Sequence, residues 1–120
     1  ASAAAALKSL EIIRTEPQRV ERLWKNARRA QEGLRKLGLT LKETSSPINA
    51  ILVGDEMAAF DFSQDLFRQG VFALPAIYPA VPKGQAIMRV VFTSKHTRAH
   101  INKVLEAIAE TAQRFQLIEQ

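Results

Sequence analysis

Apolar residues recur at helical spacing over residues 3–14, where Ala3, Ala6, Leu7, Leu10 and Ile13 share one side and Ser2 stands where a cap belongs. A second periodic stretch runs from about Pro17 to Leu37. Its stripe is Val20, Leu23, Trp24, Ala27, Ala30, Leu34 and Leu37. Thr15 and Gln18 have capping-box spacing ahead of it, Pro17 suits a first helical turn, and Gly38 is a natural stop. The period then changes. Ile48 to Val53 is a short, nearly all-apolar run, which predicts a strand buried on both faces. Gly54-Asp55 turns the chain, and Asp55 is positioned to cap a helix reaching about Gln69, with Gly70 ending it. Val71 to Leu74 predicts a second strand, Pro75 to Gly84 an irregular loop with three prolines, and Ile87 to Phe92 a third strand. Thr97 is placed to cap a last helix with Ile101, Val104, Leu105, Ile108, Ala112 and Phe115 on one side.

Two helices followed by strand–helix–strand–strand–helix make an α+β fold, a small, mostly antiparallel sheet packed with helices. The size prior gives a single domain over residues 1–120. Composition narrows the class further. Hydrophobic residues make up 47% of the chain, ordinary for a soluble globular protein. The absence of cysteine excludes disulfides and thiolate metal sites, and an unstapled enzyme-like composition points to a cytoplasmic protein. No apolar run approaches the ~18–20 residues that span a membrane. The alanine-rich start lacks the features of a signal peptide. It also lacks methionine and reads as helix from the outset, which suggests a cut end. A net charge of +5 permits an anionic partner without demanding one.

Arg89 is the most informative residue. It interrupts the apolar strand Ile87–Phe92, on the same face as Ile87 and Val91. A guanidinium held among apolar side chains needs an anion, and its planar fork suits a carboxylate or phosphate. Three readings remain open: a ligand anion, an internal ion pair, or a strand with one wet face. His96 and His100 are four apart, but Thr97 as cap puts His96 before the helix and no third ligand stands nearby, so no metal is expected. The basic residues between 19 and 36 are interrupted by Glu21 and Glu32, and Trp24 lies on the apolar stripe, so nucleic-acid binding is the weaker reading of that helix. Asp61 and Asp65 read as solvent-facing. No phosphate loop, hydrolase elbow or nucleophile–base pair is present.

Several segments together resemble a known family. Val53-Gly54-Asp55 is followed by Gln69-Gly70-Val71-Phe72, then by Tyr78-Pro79-Ala80-Val81-Pro82-Lys83-Gly84-Gln85-Ala86. Arg89 and Thr93-Ser94-Lys95-His96-Thr97 come next, with Leu10 to Ile13, Arg22-Leu23-Trp24 and Asn26-Ala27 upstream. In this order they are similar to the C-terminal small domain of the α-oxoamine synthases. The resemblance implies the C-terminal domain of a fold-type-I, aminotransferase-like homodimer. Residues 1–37 would be linking helices and 38–120 the small domain. It implies pyridoxal phosphate as cofactor and the condensation of an amino acid with an acyl-CoA to an aminoketone. The imine-forming lysine, the ring-stacking histidine and the aspartate on the pyridine nitrogen would lie in a large domain upstream. None of the lysines here sits in that motif. By the same resemblance Arg89 matches the arginine that holds the amino-acid carboxylate, and Tyr78 and Ala80 fall in the segment near the substrate entrance. Ala80 stands where some members have threonine, so a hydroxyl contact is missing. Ser94-Lys95 replaces a small Ala-Ala pair. The alternatives are a free-standing binding module of the same fold and a nucleic-acid binder using residues 19–36.

Overall fold

The computed structural model describes residues 1–118; the last two residues of the expected 38–120 unit lie outside the described residues. Its elements are α1 (Ser2–Thr15), α2 (Gln18–Lys36), β1 (Asn49–Gly54), α3 (Glu56–Arg68), β2 (Leu74–Ala76), β3 (Ala86–Val90) and α4 (Arg98–Arg114). The strands form one antiparallel sheet in the order β1-β3-β2. The α+β expectation therefore holds. Residues 40–42 extend the sheet beyond β1: the Lys42 N–H donates to the Ala50 carbonyl and the Leu52 N–H to the Thr40 carbonyl, both at 2.9 Å.

Alternation along the strands divides the sheet into two unlike faces. Ile51, Met88 and Val90 point toward the helices. They meet Ala30 and Leu34 of α2, Phe62 and Leu66 of α3, and Ile101, Ile108 and Ala112 of α4 in one hydrophobic cluster. Each such leucine, isoleucine or phenylalanine stabilises the fold by about 1.5–3 kcal/mol through area removed from water. α2 and α4 approach closely where Gly33 lies, since a Cβ built there would sit 2.5 Å from a Leu105 methyl. An aspartate that reads as solvent-facing is instead a tie between helices. Arg114 Nη1 donates to both carboxylate oxygens of Asp65 at 2.6 Å, and Nη2 donates to Glu110 at 2.6 Å. The Glu110 and Asp65 carboxylates raise the already high pKa of Arg114 further.

Several local expectations are corrected. Ser2 lies inside α1, whose cap position is Ala1, and makes no capping bond. Thr15 also belongs to α1 and spends its hydroxyl on the Glu11 carbonyl at 2.9 Å, so no capping box with Gln18 forms and Pro17 occupies the cap of α2. The second strand begins at Leu74, not Val71. Val71 and Ala73 are buried but run outside the ladder, with the Ser63 hydroxyl donating to the Ala73 carbonyl at 2.7 Å. Pro75 is then tolerated because β2 is an edge strand, where a missing N–H faces no partner. The third strand ends at Val90, although Phe92 beyond it is still buried.

α1 stands apart from this core. None of its residues is buried, and Leu7, Leu10 and Ile13 are 70%, 59% and 52% exposed. Its projection accounts for a radius of gyration of 15.8 Å, against about 13.6 Å for a compact chain of this length. A short alanine-rich helix is marginal without packing. In hydrogen exchange, amides of residues 3–14 should therefore open first, with protection at least about a hundredfold below that of α4. Equal protection of α1 and α4 at low protein concentration would show that α1 is stabilised by something other than this core.

Candidate functional site

Arg89 is the next-to-last residue of β3, the central strand, with Ala50 of β1 opposite on one side and Leu74 of β2 on the other. Ile87 and Val91 flank it on the same face. This is the sheet face away from the helices, and Arg89 is exposed on it. The enclosure expected from its apolar strand is thus not seen: its neighbours along and across the strands are apolar, but the side chain itself is exposed. No hydrogen bond or ion pair involves Arg89 among the described residues. Of the three readings, the internal ion pair is not formed; the strand has one open face, and Arg89 stands exposed on it with no side-chain partner among the described residues.

Tyr78 and Ala80 lie in the connection from β2 to β3, past the last ladder pair Ala76–Ile87. Both are exposed. The loop is folded on itself, with the Ala80 N–H donating to the Ile77 carbonyl at 2.8 Å and Gln85 N–H to Pro82 at 3.1 Å. Lys83, which the sequence pattern did not single out, places its Nζ 5.1 Å from the Tyr78 ring centre. No hydrogen bond or ion pair joins Tyr78 or Ala80 to Arg89 among the described residues. The loop joins β3 at its start, and Arg89 lies three residues further along, opposite the first residue of β2.

The far end of β3 is anchored by a residue whose role periodicity did not reveal. Asn26, only 8% exposed, donates through Nδ2 to the carbonyls of Thr93 and His96 at 2.9 and 3.0 Å. His96 Nδ1 accepts from the Thr93 N–H at 2.8 Å. Thr97 caps α4 as expected, and His100 completes a capping box by accepting from the Thr97 N–H through Nδ1 at 3.1 Å. Both histidines thus spend one ring nitrogen on the backbone. Among the described residues no group of three or more His, Cys, Asp or Glu side chains is placed to hold a metal.

Comparison with known proteins gives the class. The Aminotransferase class I and II family matches residues 1–108, and the chain belongs to that family. The relatives compared below, 8-amino-7-oxononanoate synthases and serine palmitoyltransferases, are pyridoxal-phosphate-dependent α-oxoamine synthases. The chain is 40% identical over 116 residues to 8-amino-7-oxononanoate synthase of Symbiobacterium thermophilum, covering 97% of this chain and 30% of that one. It is 40% identical over 114 residues to the Thermus thermophilus 8-amino-7-oxononanoate synthase/2-amino-3-ketobutyrate coenzyme A ligase, covering 95% and 29%. A serine palmitoyltransferase solved with pyridoxal phosphate superposes with a TM-score of 0.89 at 32% identity, over 96% of this chain and 29% of that chain. The Francisella tularensis 8-amino-7-oxononanoate synthase does so with a TM-score of 0.76 at 26% identity, over 92% and 32%. The chain spans about 30% of the length of the curated relatives it matches. No helix of the described residues is long and apolar enough to cross a membrane.

The anchor at Asn26 generates a test. Asn26→Ala strands two carbonyls that the amide satisfies, which should destabilise the fold by about 1–3 kcal/mol. The measurement is the shift of the urea midpoint at unchanged m-value. A change below about 0.5 kcal/mol would show that the 93–97 turn holds its shape unaided.

Proposed function

We propose that this chain is the C-terminal, carboxylate-binding part of a pyridoxal-phosphate-dependent acyltransferase that condenses an amino acid with an acyl-CoA to an aminoketone. The observation that supports it is Arg89: an arginine with no side-chain partner among the described residues, carried on the central strand between the apolar strand neighbours Ala50 and Leu74. Such a group is built to receive an anion from outside the domain. A carboxylate matches its fork with two parallel charge-assisted hydrogen bonds, and the apolar surround strengthens them once water is displaced. Tyr78 and Ala80 border the approach from the hairpin loop, where the methyl of Ala80 leaves a substrate without a hydroxyl partner.

The cofactor itself has no complete set of partners in this chain. None of the five main grooves of the described residues combines a lysine amine with a carboxylate. In the proposed enzyme the imine-forming lysine belongs to a preceding large domain, and pyridoxal phosphate supplies the electron sink for bond breaking at the amino acid's α-carbon. This chain's part is to fix the carboxylate, and with it the orientation of the bond that breaks. The exposed stripe of α1 and the open sheet face are the surfaces on which a large domain, or the second subunit of a cytoplasmic homodimer, would pack.

The test is steady-state kinetics of Arg89 variants in the complete enzyme, varying each substrate in turn. A lost charge-assisted hydrogen bond costs about 1.5–3 kcal/mol. Arg89→Ala should therefore lower kcat/KM for the amino acid by roughly ten- to more than a hundredfold. Arg89→Lys should fare nearly as badly, because a point charge cannot reproduce the fork. Acyl-CoA affinity and cofactor loading should be unchanged. A normal kcat and KM for the amino acid with reduced thermal stability would assign Arg89 a structural role instead.

A further inference from the structure

Apart from the Arg89 face, α2 and the start of α4 enclose a groove of about 530 Å³. Its walls carry Arg22, Lys25 and Arg29 from α2, and Lys95 and Arg98 from the junction of β3 with α4. The three on α2 follow one another at i, i+3 and i+7, so a single helical face presents them. No acidic residue lines the groove, and none of these five cations is in an ion pair among the described residues.

The placement of charge is unusual for the end of a helix. The first turn of α4 holds no acidic residue and does hold Arg98. A helix start already carries partial positive charge, and its first N–H groups have no intrahelical acceptor. Thr97 satisfies the His100 N–H, which leaves those of Arg98 and Ala99 directed out of the helix end. Four further cations brought to the same place repel one another and the helix end alike. An anion in the groove removes that repulsion and meets donors in every wall. The groove is also held in shape, since Asn26 on its floor pins the 93–96 turn by the two hydrogen bonds described above.

We propose that this groove binds the phosphate groups of a small phosphorylated ligand. Arginine forks and free backbone N–H groups at a helix start are the donors that phosphate oxygens select. The volume lies in the range of small-molecule sites. Among its lining residues His96 is the only ring, and its Nδ1 is engaged by Thr93, so the groove offers no platform on which nucleic-acid bases would stack. This assignment is independent of the role of Arg89, because neither group lines the other's site.

The experiment is a titration of the isotope-labelled chain with inorganic pyrophosphate, read by amide chemical shifts at low salt. Saturable shifts centred on residues 94–100 and on the Arg22–Arg29 face are expected. Arg29→Glu and Arg98→Glu should each weaken binding by roughly tenfold or more. Lys36→Glu, on the same helix outside the groove, should change it by less than about twofold. A parallel titration with coenzyme A identifies the source of the phosphate. Tighter binding than pyrophosphate, lost in the same two variants, assigns the groove to a coenzyme A thioester, whereas equal affinity assigns it to a free phosphate compound. Shifts scattered over the basic surface without saturation, binding untouched by both charge reversals, or binding of short duplex DNA without pyrophosphate binding would each overturn the proposal.

Discussion

The pairing of β3 on both sides is the constraint on which the rest depends. Because β1 and β2 both bond to it, neither its register nor its facing can slip without moving every side chain to the wrong face. Met88 and Val90 are thereby committed to the core, and Arg89 between them is committed to the opposite side. Sinking the arginine into the helix layer would bury an unpaired charge, at a penalty of several kcal/mol. The core that secures the strand therefore also fixes the face on which Arg89, the proposed carboxylate ligand, is presented.

Helices were legible wherever a stripe met a core, and α2, α3 and α4 lie within a residue or two of where periodicity places them. The caps divided by context. Asp55 and Thr97 stand alone before their helices and cap them. Thr15 is still within α1 and is not available to the next helix. β2 was misplaced because Val71 and Ala73 alternate as a strand would, yet their burial comes from packing against α3 and not from a ladder. An apolar pattern reports burial; it does not report which backbone groups are paired.

The candidate site was half legible. An arginine inside an apolar strand announces a special position from composition alone. Whether that position is enclosed depends on what covers the second face, and three helices all gather on the first. Asn26 carries no signal in the sequence beyond the family resemblance, because a polar residue beside a stripe looks like any solvent-facing one. Its function is a pair of bonds to carbonyls about seventy positions away. Such long-range partners leave no local trace. Lys83 beside Tyr78 is likewise a product of how the 77–85 loop closes.

The chain spans about 30% of the length of the curated relatives it matches, its first helix has no buried residue, and Arg89 stands exposed on the sheet face away from the helices. The central claim is that Arg89 is reserved for a substrate carboxylate. The most direct measurement is a crystal structure of the complete enzyme with its amino-acid substrate bound. The account predicts both terminal nitrogens of Arg89 about 2.7–2.9 Å from the two oxygens of the substrate carboxylate. Arg89 paired instead with a carboxylate of the protein, and the substrate held by other groups, would contradict it.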